Sequence, residues 1–333
     1  MCLENKHYRF FNSYCYYIEC TLVGGIHCLS KEEFMTQVQE ITTVCDYTDY
    51  FGLEQTDPMV GVIDLRKATN WPSEFHLTFD VYVVQLMGTH CGEIRYGRNS
   101  KYNFDAGTII TYSPGQHIDV SILPGERPSA RSVMFHPDYI RGTALEESIK
   151  QYTFFSYSHN EALYVSEEEQ QIFLDCLQRI KTELAKTHDD FQRDIVCMNL
   201  ELLLKHCSRF YARQFETSRE LNHDILAKFE LLLKDYYTTD NAHSLGLPTV
   251  KYFADKVFLT PNYFGDLVKS ITGRTARDLI HEKIIDEAKD RLTASKDTLA
   301  NIAYEMGFQT PQHFNRMFKN ATGITPNEYR KRG

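Results

Sequence analysis

The sequence has no cysteines in a C-x-x-C arrangement and no cysteine after Cys207. Its nine cysteines are an odd number without regular spacing, which argues against a disulfide framework and is typical of a reducing compartment. No apolar run approaches the roughly 18 residues that a membrane helix needs, and the first residues are too polar for a signal peptide. We therefore expect a cytoplasmic protein without a membrane segment.

Net positive charge is also lacking. The chain has 45 acidic and 36 basic residues, and this formal net charge of -9 argues mildly against a nucleic-acid partner. The charge is uneven, however, because residues 221–333 hold 16 lysines and arginines against 14 acidic residues, and residues 306–333 hold 5 against 1. The C-terminal end is therefore the part that DNA phosphates would favour.

The first half of the sequence shows the period of β-strands. Between about 75 and 135 apolar residues alternate with others, as in Phe75, Leu77 and Phe79, and Pro-Gly pairs at 114–115 and 124–125 mark turns. The pattern predicts a small barrel or sandwich. Residues 31–44, just before it, are predicted to be helical. With 333 residues the chain is long enough for about two domains.

Two amphipathic helices are predicted after this β region. The first begins at Ser166, where Ser166 to Glu169 has the pattern of a capping box, and the second covers about residues 190–211. Their apolar stripes are Ile172, Phe173, Cys176, Leu177, Ile180 and Leu184 in the first, and Phe191, Ile195, Met198 and Leu202 in the second. Periodicity does not decide whether these helices pack on the β region or pair between subunits. The polar stretch 217–224 is the predicted boundary between the two halves.

The last hundred or so residues contain a duplicated element. Residues 249–271 read TVKYFADKVFLTPNYFGDLVKSI and residues 298–320 read TLANIAYEMGFQTPQHFNRMFKN, at an offset of about fifty residues. Each copy predicts two helices joined by a tight turn, a helix-turn-helix unit. Thr260-Pro261 and Thr310-Pro311 each place a capping residue and a proline at the start of the second helix. Gly307 is expected to have a left-handed backbone in the second turn, where the first copy has Phe258.

The second helix of each unit is predicted to bury one face and expose the other. The buried set is Phe264, Leu267, Val268 and Ile271 in the first unit, and Phe314, Met317 and Phe318 in the second. On the exposed faces, the candidates for reading base edges in a major groove are Asn262, Asp266, Gln312, His313 and Arg316. The candidates for phosphate contacts are Thr260, Lys269, Thr310, Lys319 and Arg330.

The segment between the two units is predicted to be one long helix. It has apolar residues at helical spacing and contains neither glycine nor proline between Thr275 and Ser295. About 19 residues at about 1.5 Å each span about 28 Å, close to the roughly 34 Å of one DNA turn. Two recognition helices could therefore enter successive major grooves, and this spacing predicts sequence-specific binding to double-stranded DNA.

This tail resembles the DNA-binding region of AraC/XylS-type transcription regulators. The second unit matches the family pattern in three blocks: Ile302, Ala303, Gly307, Phe308 and Thr310; Phe314, Arg316, Phe318 and Lys319; and Gly323, Thr325, Pro326, Tyr329 and Arg330. The first unit departs from it, with Phe258 where glycine is common and Asp266 where a basic or polar residue is common. The resemblance implies that Asn262, Gln312, His313 and Arg316 read bases.

The resemblance also implies an architecture. The fold is expected to be α+β, with a cupin-like β-barrel regulatory domain over residues 1–160, a helical region over 161–216 that could mediate dimerisation, and an all-α DNA-binding domain over 221–333. Such regulators often bind a small-molecule effector in the barrel, so we expect an effector, a homodimer and RNA polymerase as partners. No cofactor and no metal are expected.

Two enzymatic alternatives compete with a regulator. A metal-dependent cupin enzyme would use some of His76, His90, His117 and His136 as ligands, but these are widely spaced and form no compact H-x-H motif. A DNA alkylation-repair protein would need a cysteine metal cluster and an acceptor thiol, which the cysteine spacing does not supply. We therefore expect the protein not to be an enzyme.

Overall fold

Two β-sheets lie in the first half of the computed structural model, which describes residues 38–332 apart from 55, 89–92, 97–99, 104–106, 123–126, 159–160 and 240. The strands are β1 (Val38–Ile41), β2 (Val60–Asp64), β3 (Glu74–Phe79), β4 (Tyr82–Met87), β5 (Glu93–Tyr96), β6 (Ser100–Asn103), β7 (Thr108–Tyr112), β8 (Gln116–Ser121), β9 (Ala130–Phe135) and β10 (Leu163–Tyr164). Sheet A has the order β1-β3-β8-β5-β6 and sheet B the order β10-β7-β4-β9-β2. The α+β class is confirmed, but no closed barrel forms among the described strands.

The two sheets enclose one hydrophobic core. Phe75, Leu77 and Phe79 of β3 point inward because side chains alternate along a strand, and they share a cluster with Tyr112 and Met134 of sheet B. His76 and Thr78 lie between them on β3 and are only partly buried. The inner face of sheet A is therefore packed, and its outer face carries polar residues.

The expected helix over residues 31–44 is wrong where the structure describes it. Val38–Ile41 is a strand that pairs in parallel with β3, with Ile41 opposite Phe79, and a helix starts only at Val44. Ile41 is fully buried, so pairing with β3 and burial in the core outweigh the local pattern. Residues 31–37 lie outside the described residues.

Thirteen α-helices are present among the described residues. They are α1 (Val44–Tyr50), α2 (Pro137–Ile140), α3 (Ala144–Ser148), α4 (Glu167–Leu184), α5 (Gln192–Thr217), α6 (Arg219–Asp235), α7 (Asn241–Leu245), α8 (Val250–Lys256), α9 (Pro261–Thr272), α10 (Ala276–Ala294), α11 (Leu299–Glu305), α12 (Pro311–Thr322) and α13 (Pro326–Arg332). None of them is long and apolar enough to cross a bilayer.

The two predicted amphipathic helices are α4 and α5. Ser166 and Glu169 form the capping box before α4, and the α4 stripe is buried at Phe173 and Ile180. The predicted stripe of α5 behaves differently, because Phe191 and Met198 are each 70% exposed. The side of α5 that packs on the protein is instead formed by Val196, Leu200, Leu203 and Leu204, all fully buried.

A second hydrophobic cluster connects sheet B to the C-terminal helices. It begins with side chains on the outer face of sheet B, such as Val84 and Val133, and includes Leu200 of α5, Phe229 of α6 and Phe264 of α9. The chain between α5 and α6 breaks only at Ser218, within the predicted boundary 217–224. The C-terminal helices are thus packed on the first half of the chain, which determines the surroundings of the first recognition helix.

Candidate DNA interface

The first helix-turn-helix unit consists of α8 and α9. Thr249 caps α8 by accepting a hydrogen bond from the Tyr252 amide at 3.1 Å, and Ala254 is fully buried where α9 crosses. Thr260 caps α9 in the same way, with Pro261 at the first helical position. Phe264, Leu267 and Val268 of α9 are fully buried, as predicted, and the Phe264 ring packs edge-on against Phe229 of α6.

The second unit, α11 and α12, repeats this construction. Thr298 and Thr310 cap the two helices, and Pro311 begins α12. Ala303 is fully buried at the crossing, and Phe314 and Phe318 form the buried face of α12. The predicted pair of helix-turn-helix units is therefore confirmed in its local geometry.

The turns of the two units share an unusual backbone conformation. Gly307 has φ 86°, as predicted, and Phe258 has φ 61°, which is rare for a residue with a side chain. A Cβ atom on Gly307 would lie only 2.5 Å from the Gly246 carbonyl carbon and 2.6 Å from the Ala242 oxygen. The Phe258 ring, in contrast, is 82% exposed. Only the second turn therefore requires glycine for space as well as for conformation.

The helix between the units is α10, Ala276–Ala294, with 19 residues. At about 1.5 Å per residue it spans about 28 Å, as expected from the sequence. Its buried residues, such as Ile280, Ile284 and Ala288, pack against both units. The two recognition helices, α9 and α12, are therefore held on one rigid spacer.

The exposed face of α12 presents the residues predicted to read bases. Gln312, His313 and Arg316 are all exposed, and Lys319 and Thr310 are exposed beside them. None of these five side chains makes a hydrogen bond or ion pair with another element within the described part of the chain, and the His313 ring packs against Phe308. The second recognition helix is thus accessible.

A groove next to α12 contains basic residues that the sequence analysis did not select. Arg277 and His281 of α10 line it together with His313 and Arg316, and its volume is about 490 Å³. Burial and the neighbouring Arg277 lower the pKa of His281, which favours its neutral imidazole. The helical periodicity of α10 could have indicated that Arg277 and His281 share one face, but not that this face turns towards α12.

Arg330, a predicted phosphate contact, is only partly exposed. Its Nε donates to the Leu292 carbonyl at the end of α10 at 3.3 Å, and its Nη2 is buried without a hydrogen-bond partner among the described residues. A cation at this position interacts favourably with the carbonyl end of the helix. Lys331 and Arg332 beside it are exposed.

Residues from the upstream half hydrogen-bond to the first recognition helix, in which Asn262 is exposed and Asp266 is partly buried. Asp266 accepts hydrogen bonds from the Thr153 hydroxyl at 2.5 Å and the Tyr157 hydroxyl at 2.6 Å. The Asn262 amide donates to the Ser156 hydroxyl at 2.6 Å. Burial and the Asp266 carboxylate raise the pKa of Tyr157, so its hydroxyl stays protonated and donates. Lys269 is exposed.

Glu161 contacts the first turn of α9. One of its carboxylate oxygens accepts the Thr260 amide at 2.5 Å, and the other accepts the Thr260 hydroxyl at 2.7 Å and the Ser158 amide at 2.7 Å. The Glu161 residue is only 2% exposed. A buried carboxylate at a helix N-terminus is favoured by these donors and by the helix dipole. The predicted DNA contacts Thr260, Asn262 and Asp266 are therefore all engaged within the protein.

The thiols that the structure describes do not resemble an alkyl acceptor. These are Cys45, Cys176, Cys197 and Cys207. Burial raises the pKa of each of the four, which disfavours the reactive thiolate.

The four histidines proposed for a metal enzyme do not form one site. His136 caps α2 by accepting a hydrogen bond from the Asp138 amide at 3.1 Å, and His90 lies outside the described residues. His76 and His117 do come together, on the outer face of sheet A and not between the sheets. Both were among the four candidate ligands, but their pairing was not expected from the sequence because β3 and β8 are adjacent only in space.

Comparisons with known proteins agree with this geometry. The family described as "Helix-turn-helix domain" matches residues 253–332. The uncharacterized transcriptional regulatory protein YesN of Bacillus subtilis (strain 168) is 28% identical over 133 residues, which cover 39% of this chain and 34% of that protein. The transposon Tn10 TetD protein of Escherichia coli is 35% identical over 78 residues, which cover 23% of this chain and 56% of that protein. The matches thus span between about a third and about half of these relatives.

A solved structure of a transcriptional regulator from Chromobacterium violaceum, described as containing an AraC-type DNA-binding domain, is also similar. It is 19% identical, covers 33% of this chain and 91% of that chain, and has a TM-score of 0.28. The family match covers most of the two units described above. The C-terminal region of this chain therefore matches a family of helix-turn-helix domains over residues 253–332.

Proposed function

We propose that the protein is a sequence-specific DNA-binding regulator of transcription. The observation that carries the proposal is α12, a capped helix whose buried face is fixed by Phe314 and Phe318 while Gln312, His313 and Arg316 are exposed together. A guanidinium can pair with guanine and an amide with adenine through two hydrogen bonds each. In this proposal Thr310 and Lys319, which are both exposed, contact phosphates on either side.

Two half-sites follow from the pair of units on α10. Because the spacer is about 28 Å long, the recognition helices would enter major grooves about one DNA turn apart. In this proposal Asn262 and Asp266 read the half-site of the first unit, and Thr260, Lys269 and Arg330 contact phosphates.

Selection of bound fragments from random duplex DNA tests this function. We expect enrichment of a motif with two blocks whose centres are about 10 base pairs apart. The preference should survive Arg179→Ala, a change at an exposed arginine on α4. Affinity that does not differ between selected and random duplexes would contradict the proposal.

We further propose that the protein is a homodimer joined through the exposed stripe of α5, formed by Phe191, Ile195, Met198 and Leu202. We infer that this stripe packs against the same stripe of a second copy of the chain, with the two helices antiparallel. The stripe has helical spacing, and Asp194 lies at one end of it while Lys205 lies towards the other, so a two-fold axis near its centre brings opposite charges together.

Sedimentation velocity of Met198→Glu tests the dimer. A buried glutamate pair at the axis is unfavourable, so we expect the variant to sediment as a monomer at concentrations where the wild type is dimeric. Leu231→Glu, at another exposed leucine, is the control and should remain dimeric. A wild type that is monomeric, or a dimeric Met198→Glu, would contradict this interface.

An effector, RNA polymerase and a cytoplasmic site of action belong to the same proposal. The β region has a cavity of about 40 Å³ between its two sheets, lined by aromatic side chains such as Phe51, Trp71 and Phe75. Ligand pockets are usually several hundred Å³, so an effector would have to displace these rings. The relatives are regulators, which supports a protein that is not an enzyme.

A further inference from the structure

We propose that His76, His117 and Asp119 bind one divalent transition-metal ion on the outer face of sheet A. The strands β3 and β8 are antiparallel, with His76 opposite Asp119 and Thr78 opposite His117. Because Phe75, Leu77, Ile118 and Val120 point into the core, the four polar residues share the other face. The register of one strand pair thus brings the three ligands together.

The distances fit a metal site after small side-chain rotations. One ligand atom from each of the three residues lies within 4.8 Å of the others. Asp119 Oδ1 is 2.6 Å from His76 Nδ1 and 2.9 Å from His117 Nε2. Zinc–ligand bonds of about 2.0–2.2 Å in a tetrahedral site separate ligand atoms by about 3.4 Å, so Asp119 Oδ1 would have to move slightly away from both rings while the three atoms stay within the 4.8 Å limit.

The donor set indicates the class of ion. Two imidazoles and a carboxylate suit zinc, cobalt or nickel, with the remaining positions open to water. Two neutral imidazoles and one carboxylate carry a single negative charge against the two positive charges of the ion. The His76 side chain is 20% exposed and the Asp119 side chain is 33% exposed, so an ion can reach both from solvent.

A further contact orients one of the ligands. The Thr78 hydroxyl lies 3.1 Å from His117 Nδ1, which directs Nε2 of the same ring towards Asp119. Metal-binding histidines commonly use the second ring nitrogen in a hydrogen bond of this kind, which sets the tautomer and the ring plane. This hydrogen bond fixes the orientation of His117, which two histidines that are merely close on a surface would not require.

Calorimetric titration of the chelator-treated full chain with cobalt and with nickel chloride tests the site. We expect one ion per chain in the wild type, and loss of this ion in His76→Ala and in Asp119→Asn. Thr78→Val removes only the orienting hydroxyl and should weaken binding by about 10-fold or more. His136→Ala is the control and should bind as the wild type does.

Two further measurements distinguish loss of the metal site from misfolding of a variant and from metal binding by cysteines. The cobalt complex should show the visible absorption of an ion with nitrogen and oxygen ligands, and Asp119→Asn should have the wild-type melting temperature in the absence of metal. Uptake that is unchanged in both His76→Ala and Asp119→Asn, or a wild type that takes up no more ion than these variants, would overturn the proposal.

We also infer an autoinhibitory contact, carried by different observations and resting on the proposed function. Thr153, Ser156, Tyr157 and Glu161 are here called the clasp residues, since they bind α9 through five hydrogen bonds of 2.5 to 2.7 Å. Glu161 takes the amide and hydroxyl of Thr260, two donors at a helix N-terminus that are suited to a DNA phosphate. Binding of the clasp and binding of DNA by α9 therefore exclude each other.

Hydrogen–deuterium exchange tests the clasp without DNA. We expect faster exchange at the start of α9 in Glu161→Gln and in the double variant Thr153→Val/Tyr157→Phe, which keeps nearly the same side-chain shape. Thr182→Val, at an exposed threonine on α4, is the control. If the exchange rate at α9 is unchanged in both variants, the clasp residues do not hold this helix, whatever the DNA-binding measurements show.

Anisotropy titrations then measure the consequence for DNA. We expect the double variant to bind a duplex with both half-sites at least about 5-fold more tightly than the wild type does, with no change on a duplex whose first-unit half-site is scrambled. Equal affinities of the two proteins for the intact duplex would contradict autoinhibition, whereas loss of all sequence preference would contradict the proposed function itself.

Discussion

The two helix-turn-helix units have the same internal construction and different surroundings. Both recognition helices begin with Thr-Pro, bury at least one phenylalanine and follow a left-handed turn. Yet Asn262 and Asp266 of α9 are hydrogen-bonded to the clasp residues, whereas the base-reading candidates on α12 are exposed and have no such bond to another element among the described residues. Local sequence therefore determines the shape of a unit, while contacts from distant parts of the chain determine whether it can reach DNA.

The largest expected effect concerns the two turns. Gly307→Ala should lower the free energy of unfolding by about 2–5 kcal/mol, because a left-handed alanine costs roughly 1–2 kcal/mol and the clash with Gly246 adds about 1–3 kcal/mol. Chemical denaturation measures this. If Gly307→Ala is as stable as the wild type, the second turn does not require glycine.

The matched change in the first turn is Phe258→Gly. It relieves a left-handed phenylalanine whose ring is 82% exposed, so we expect stability to remain within about 1 kcal/mol of the wild type or to rise. A loss comparable to that of Gly307→Ala would show that the exposed ring stabilises the fold.

The next largest losses of stability are expected for substitutions at the helix caps. Thr310→Ala removes a cap and should cost about 1 kcal/mol. Thr260→Ala removes a cap and also a hydrogen bond to the buried carboxylate of Glu161, so we expect about 2–4 kcal/mol. Thermal unfolding of the two variants measures the difference. Equal losses would mean that the contact with Glu161 contributes nothing to stability.

We expect the two units to contribute unequally to the recognition of bases. Arg316→Ala should weaken specific binding by about 1–3 kcal/mol and relax the preference at one base pair. Asn262→Ala should have a smaller effect in the full chain, because its amide is bonded to Ser156. Titration of selected and random duplexes distinguishes the two, and an Arg316→Ala loss that is equal on both duplexes would refute base reading by Arg316.

The smallest effect is expected from the phosphate contacts. Lys319→Ala should weaken binding to all duplexes alike and reduce the slope of affinity against salt concentration by about 1. Lys269→Ala should change the slope less while the clasp is closed. If Lys269→Ala changed the slope as much as Lys319→Ala, the first unit would already lie on DNA in the wild type.

Local sequence was enough to predict the construction of the C-terminal region. Threonine caps, N-terminal prolines and Gly307 act within one or two turns of a helix, and the structure shows each of them where it was expected. The length of α10 follows from an uninterrupted helical pattern. The capping box at Ser166 is of the same kind.

Long-range pairing was not predictable from one sequence. Glu161 meets Thr260 over a separation of 99 residues, and Thr153 meets Asp266 over 113. His76 and His117 are adjacent only through the β3–β8 register, and Val38–Ile41 is a strand only because β3 offers it a partner. Each of these contacts depends on how distant segments pack, which periodicity does not encode.

The hydrophobic cluster that runs from sheet B through α5 and α6 into α9 has a consequence for how the protein unfolds. Since Phe229 and Phe264 belong to the same packed network as Val84 and Val133, melting the β region exposes apolar surface on the C-terminal helices as well. Residues 38–332 are therefore expected to lose structure in one cooperative transition, and a protease should not release an intact DNA-binding fragment from the folded chain.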